Sequence, residues 1–363
     1  MTVYSNLFSP FQAGSLKLSN RAVLSPMTRT SAEASGLAND HMVRYYTRFA
    51  KGGFGLIITE GIYPDATNSR SYENQPGLAN EAQAESWRPV IQAVHRERGK
   101  IVAQLMHAGA LVQHNGFEPV APSAVKPVGT MLEDHGGSGE FAVPRAMTQE
   151  EIRNSIDSFA LAALRAKQVG FDGVEVHAAN GYLLDQFITD YTNHRTDEYG
   201  GSTERRLRLV VEVLKAIRAA VGPDYTVGVR ISQGKVNDFH HKWAKGEADA
   251  KIIFEQLAAA SPNYIHTTEY RAYAPAFAED GPTLAELAKR YSNLPVIANG
   301  NLGEPERAAQ LLETGDADLV SIGTSALVNP DWANKVKEGK ELKLFDHYFL
   351  HPIATLREDE LVI

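Results

Sequence analysis

Eight short apolar runs, each separated from the next by an amphipathic stretch, constrain this chain more than any other feature. They are Ala22–Pro26, Gly55–Glu60, Ile101–Met106, Gly173–His177, Thr226–Ser232, Tyr264–Thr267, Pro295–Asn299 and Asp318–Gly323. Near-continuous Val, Ile and Leu, without polar alternation, mark strands covered on both faces, as parallel strands under helices are. Helical signals lie between the runs. Thr148-Gln149-Glu150-Glu151 reads as a capping box, followed by Ile152, Ile156, Phe159, Ala160 and Ala163 and stopped by Gly170. Ser202 is placed to cap a helix carrying Leu209, Val210, Val213, Leu214 and Ile217, ended by Gly222-Pro223. Pro305 stands at a first helical position, and Glu81–Arg98 carries Trp87, Val90, Ile91 and Val94 on one face. Eight such units predict an α/β fold, a single (β/α)8 TIM barrel, in preference to a doubly wound sheet with extra strands. The whole chain, residues 1–363, reads as one barrel domain. Its one break in alternation, about 108–147, is rich in Gly and Pro. It reads as a lid or hairpin excursion between strand 3 and strand 4, over the barrel mouth.

Composition removes several function classes. There is no cysteine, which rules out disulfides, thiolate zinc sites and iron–sulfur clusters and suits a cytoplasmic location. A formal net charge of −8 argues against nucleic-acid and anionic-membrane partners. No apolar run approaches the roughly 18 residues of a membrane span. The start, MTVYSNLFSPF, has neither the basic nor the apolar region of a secretory signal. No metal is expected, because the spacing of His177 and His194 fits no common ligand pattern. Neither G-x-G-x-x-G nor a P-loop occurs, so a phosphate site would have to be of the barrel type.

In barrels, function gathers at the C-terminal ends of the strands. There the apolar runs carry polar groups that cost about 1–3 kcal/mol each if left unpartnered. Strand 1 leads into Pro26-Met27-Thr28-Arg29 and strand 2 into Thr59-Glu60-Gly61. Strand 3 contains Gln104, strand 4 ends at His177 and strand 5 contains Arg230. Alone, such a glutamine is usually a satisfied core residue, such an arginine pairs with a carboxylate (here Glu175 or Glu60), and such a histidine is structural. Together at one barrel end they favour a ligand. The loops after strands 7 and 8, Asn299-Gly300-Asn301-Leu302 and Ile322-Gly323-Thr324, are where barrels build phosphate sites from backbone N–H groups.

One segment is more specific. His177-Ala178-Ala179-Asn180-Gly181-Tyr182-Leu183-Leu184-Asp185-Gln186-Phe187, continued by Asn193-His194-Arg195-Thr196-Asp197-Glu198-Tyr199-Gly200-Gly201-Ser202, resembles the signature of the old yellow enzyme family. Ser25 to Arg29, Thr59 to Gly61, Gln104 to Gly109 and Val229-Arg230 follow the family's pattern in order. The similarity runs from Leu7 to about Trp332. The resemblance implies noncovalent FMN at the barrel mouth, reduced by NADPH or NADH, with NADPH the family-weighted choice. By match, Pro26, Thr28 and Gly61 line the flavin and Gln104 grips its pyrimidine edge. Arg230 lies near N1 and O2, and Gly300, Asn301, Gly323 and Thr324 border the phosphate. His177 and Asn180 resemble the donor pair for a substrate oxygen, and Tyr182 the proton donor. Tyr72 and Met106 are implied substrate neighbours. The implied reaction is reduction of an electron-poor alkene, an enone or nitroalkene, with hydride from N5 to Cβ and a proton from Tyr182.

Two positions depart from the family. Thr324 stands where many relatives have a phosphate-binding Arg, so phosphate binding must rest on backbone N–H groups or on another cation, and weaker FMN retention is expected. Met106 stands where several relatives have tryptophan, which reshapes the pocket. The segment after Trp332 matches weakly, leaving Phe345, Tyr348 and His351 free to reach the site or pack at the surface. The alternatives are an FMN barrel oxidoreductase acting on quinones or nitro compounds, another FMN chemistry with a different base, and a non-enzymatic flavin or phenol binder. Monomer and homodimer stay equally open, as does the physiological substrate.

Overall fold

The computed structural model describes residues 4–113 and 116–361; residues 1–3 of the N-terminal stretch and 114–115 of the excursion lie outside it. The first elements were not anticipated. β1 (Phe11–Ala13) and β2 (Leu16–Leu18) form an antiparallel hairpin with Phe11 opposite Leu18. Ser15 Oγ lies 3.1 Å from Oγ1 of Thr226, the first residue of a barrel strand. Leu16 and Leu18 pack on Val23, Leu56, Ile58, Val102, Ile297 and Leu319. The hairpin therefore plugs the N-terminal end of the barrel with apolar surface. Three-residue strands are too short to leave a periodic trace in sequence.

The barrel strands are β3 (Ala22–Leu24), β4 (Leu56–Ile58) and β5 (Ile101–Leu105). After β6 (Val120–Ala121) and β7 (Arg145–Ala146) of the excursion come β8 (Gly173–Asn180), β9 (Thr226–Lys235), β10 (Tyr264–Thr268), β11 (Val296–Asn299) and β12 (Leu319–Ile322). The order β3-β4-β5-β8-β9-β10-β11-β12 closes as β12 pairs in parallel with β3. Each of the eight apolar runs supplies one barrel strand, and the doubly wound alternative is excluded. β8 and β9 run beyond their apolar cores, to Asn180 and Lys235.

Local chemistry explains the helix boundaries. Thr148 Oγ1 accepts from Glu151 N while the Glu151 carboxylate accepts from Thr148 N, and Gly170 ends the helix Gln149–Val169 at φ 103°. The stretch Glu81–Arg98 is two helices, Glu81–Ser86 and Arg88–Arg96, divided at Trp87. Pro89, lacking an N–H, is tolerated only in a first turn, so a new helix starts there. Ser202 caps only the short helix Thr203–Arg206; the helix with Leu209 to Ile217 is a second one, Arg208–Val221.

The excursion lies where expected, but the two strands within it, β6 and β7, pair in parallel, with the intervening chain as crossover. Antiparallel pairing within it, among the described residues, is a single bridge between Thr130 and Glu140. Its apolar residues Leu111 and Phe141 pack on Tyr72, Met106 and Tyr182, so it covers one side of the mouth. Among the described residues, no helix is long and apolar enough to cross a membrane.

Candidate active site

Strand register determines which polar side chains meet. Gln104 on β5 pairs with Glu175 on β8, His177 on β8 with Arg230 on β9, and Arg230 with His266 on β10. Glu175, fully buried, accepts from Gln104 Nε2 at 2.8 Å and from His266 Nδ1 at 2.9 Å. Burial pushes its carboxyl up, but the pull of His266 and Arg230 and the bond from Gln104 hold it below its ordinary range. Burial lowers His266 against the opposing pull of the Glu175 carboxylate that its Nδ1 meets. Arg230 is lowered by burial to about 10, with Glu175 opposing, and stays charged at neutral pH. Its hydrogen bond goes neither to Glu175 nor to Glu60 but from Nη2 to Asn299 Oδ1 at 2.8 Å, and its buried Nε has no partner among the described residues. Glu60 instead accepts from Arg29 N at 3.0 Å and Tyr46 OH at 3.3 Å, and burial raises it to about 7.

The signature loop is built where β8 and β9 continue past the barrel core, through an irregularity between Ala178 and Asn180. Asn180 has φ 62° and Gly181 φ 85°. The left-handed turn at Asn180 is held from both sides. Its N–H donates to Ser232 Oγ at 2.8 Å and its carbonyl accepts from Val236 N at 3.1 Å. The left-handed φ of Gly181 favours glycine, and a Cβ there would also fall 2.6 Å from the side-chain Oδ1 of Asn237. Gly181 N donates to Asp185 Oδ2 at 2.6 Å, and its carbonyl accepts from Gln186 Nε2 at 2.7 Å. Asp185 is locked in turn by Lys235 Nζ, at 2.9 and 3.0 Å from its two oxygens, with both side chains buried. This scaffold brings Tyr182 beside His177, ring centroids 5.1 Å apart. Burial pushes the Tyr182 hydroxyl up to about 12. Burial first, then the charges of Arg230 and His266, keep His177 well below the usual histidine range and hence neutral. Its Nδ1 is buried with no partner among the described residues.

His177, Tyr182 and Arg230 line one inner cavity of about 230 Å³ with Pro26, Thr28, Gly61, Gln104, Met106, Asn180 and Thr324. Asn180 and Thr324 also border an adjoining chamber of about 640 Å³, walled by Gly300, Asn301 and Gly323. At Gly300, φ 140°, a Cβ would sit 2.1 Å from Glu269 O, so only glycine passes. At Gly323 a Cβ would meet protein no closer than 3.7 Å, so packing alone does not demand glycine, and its absence of side chain leaves backbone open to the chamber. Tyr72 packs with Met106 and Tyr182 of the cavity wall. It is buried behind Thr28, its hydroxyl 2.9 Å from Thr28 Oγ1, and is not among the residues lining the inner cavity.

Three features had escaped sequence reasoning. His135 of the excursion lines the inner cavity, its Nδ1 buried without a partner among the described residues, its pKa lowered by burial to about 4 against the pull of Asp134. An aperiodic segment gives no signal for such a placement. The Asp185–Lys235 pair joins residues 50 positions apart. The C-terminal segment closes the wall with Leu350 and Ala354 because Arg29 donates to Ala354 O at 2.9 Å and pairs with buried Glu360 at 2.6 Å. Of the three uncertain residues there, Phe345 borders the larger chamber, His351 an outer one, and Tyr348 is exposed.

Two unpartnered buried nitrogens, on Arg230 and His177, sit on residues lining a narrow chamber that opens into a glycine-bordered one. That set fits a planar, hydrogen-bonding ring with an anionic tail: the site of a barrel oxidoreductase using a flavin nucleotide. Comparison with known proteins agrees. The model of the NADH:flavin oxidoreductase / NADH oxidase family matches residues 6–343. The NADH oxidase of Thermoanaerobacter brockii is 35% identical over 94% of this chain, which spans 52% of that protein's length. A probable flavin mononucleotide-dependent alkene reductase of Leishmania infantum is 36% identical over 93% of this chain and 91% of its own. The solved old yellow enzyme homologue from Zymomonas mobilis superposes with a TM-score of 0.88 at 32% identity, covering 98% of both chains. The chain belongs to the NADH:flavin oxidoreductase / NADH oxidase family, the old yellow enzymes, whose members bind FMN and use NADH or NADPH.

Proposed function

We propose that this protein is an ene reductase that reduces electron-poor alkenes such as enones and nitroalkenes. FMN, when bound, supplies the hydride chemistry, taking hydride from NADPH or NADH and giving it to the substrate's β-carbon. Pro26, Thr28, Gly61 and Gln104 hold its ring system and Arg230 offsets negative charge on it. Gly300, Asn301, Gly323 and Thr324 border its phosphate.

The observation that carries the reading is the buried, unpartnered Nδ1 of a neutral His177 on the same cavity wall as Asn180 and Tyr182. A neutral imidazole and a carboxamide donate hydrogen bonds to the substrate's carbonyl or nitro oxygen. They polarise the conjugated alkene and stabilise the developing enolate or nitronate. Neutrality matters, since it lets the same cavity admit a nicotinamide and an alkene in turn without a second fixed cation beside Arg230. The Tyr182 hydroxyl, kept protonated by its burial, gives its proton to the α-carbon. The excursion and the C-terminal segment exclude bulk water from that transfer. Tyr72 orients Thr28 through their shared hydrogen bond. The cysteine-free chain is suited to the reducing cytoplasm.

The test is a visible spectrum of the FMN-reconstituted protein titrated with a para-substituted phenol. A broad long-wavelength charge-transfer band is expected, since a phenolate oxygen would take the place of the substrate oxygen at His177 and Asn180. Flavin without that band would overturn the oxygen-binding pair.

A further inference from the structure

We propose that Lys343, from the segment that follows the last barrel helix, supplies the cation for the phosphate of FMN. The proposal rests on FMN binding and not on the identity of the alkene.

The larger chamber is bordered by the loops after β11 and β12, through Gly300, Asn301, Gly323 and Thr324. Loops at these positions in a barrel hold phosphates by backbone N–H groups, and a nearby cation adds a charge-assisted bond. Thr324 brings no charge. Two lysines line the chamber, Lys235 and Lys343. Lys235 is committed to Asp185 at 2.9 Å and buried with it. The lining carboxylates are committed too, Glu269 to Lys242 at 2.9 Å and Glu304 to Arg307 at 3.0 Å. Lys343 has an exposed side chain and no ion pair among the described residues. Among the described residues lining that chamber, it is the positive charge left for an anion.

Its backbone is not left loose. Asn329 is fully buried, and its side chain grips Lys343 at both ends of the residue. Lys343 N donates to Asn329 Oδ1 at 2.9 Å, and Asn329 Nδ2 donates to Lys343 O at 2.9 Å. The same Nδ2 donates to Ser325 O at 3.0 Å, tying Lys343 to the turn that follows Gly323 and Thr324. A carboxamide with this many bonds fixes where Lys343 leaves the wall. Only the flexible end of the lysine has to order when an anion arrives, which suits a compact ammonium charge on a mobile stem.

The experiment compares FMN with riboflavin, which lacks the phosphate, by quenching of flavin fluorescence on titration with apoprotein. The wild-type chain should bind FMN more tightly than riboflavin. Lys343→Gln should narrow that gap by about tenfold or more, with riboflavin affinity unchanged, as expected for loss of a charge-assisted bond. Added salt should weaken FMN binding by wild type more steeply than by the variant. Lys343→Arg should keep the gap. An unchanged gap in Lys343→Gln, equal weakening of both flavins, or equal loss in the Gln and Arg variants would each overturn the proposal. Uptake of neither flavin by the wild type would overturn the cofactor reading beneath it.

Discussion

Replacing Tyr182 by Phe removes one hydroxyl and leaves a ring of the same shape among Met106, Leu111, Tyr72 and Phe141. Fold and FMN binding should survive, so the change isolates the proton. The hydroxyl is pushed up to about 12 by burial. At pH 9 only roughly one in a thousand would then be ionised, and the acid is available across the working range. A positioned general acid contributes about 10²–10⁴ in rate, or roughly 3–5 kcal/mol of barrier. In anaerobic stopped-flow experiments, reduction of bound FMN by NADPH should be nearly unchanged in Tyr182→Phe, because that half-reaction needs no proton from Tyr182. Reoxidation by an enone should slow within the stated range. Up to about pH 9, below the range where Arg230 at about 10 would lose its charge, the wild-type alkene step should show no loss of acid from Tyr182. Equal loss in both half-reactions would refute the assignment, because it would mean the ring edge or the cavity had changed. An undiminished alkene step would refute it as well, because water would then be supplying the proton.

Two further outcomes follow from the scaffold. Lys235→Met would leave the Asp185 carboxylate buried with only the Gly181 N–H and Thr189 hydroxyl for partners. That should cost about 3–5 kcal/mol in a denaturant titration and slow alkene reduction, because the Asn180–Tyr182 turn loses its anchor. A loss well under about 1 kcal/mol would mean the pair is solvated in solution. Stability should also fall in acid. His107 is lowered to about 4 by burial, so its contribution is complete above 6.5 and is lost as pH falls through 4. His135, also lowered to about 4, acts in the same direction. Glu60, raised to about 7, opposes them, its contribution present below 4.5 and lost as pH rises through 7. Denaturant midpoints measured from pH 7 down to 4 should decline, and less steeply at first; a rise across the whole interval would show that Glu60 outweighs the histidines.

The barrel was legible because burial on both faces writes each central strand as a continuous apolar run, and eight such runs leave few ways to close a sheet. Gln104, Arg230 and His177 were conspicuous for the same reason: polar groups inside those runs need partners. Sequence also named the Asn180–Tyr182 turn, whose Gly181 answers a close approach by Asn237. It could not reveal which partner each polar group takes. That depends on register, which sets Gln104 against Glu175 and gives Arg230 to Asn299 rather than to Glu60. Tyr72 behind Thr28, His135 over the inner cavity and the N-terminal plug were equally invisible, because short or aperiodic segments carry no repeating pattern. Arg29 reaching Glu360, and Lys343 held by Asn329, were decided by the tertiary structure alone. Local propensity and burial act along the chain and leave a mark in its order; an ion pair or hydrogen bond between distant residues depends on where folding puts them.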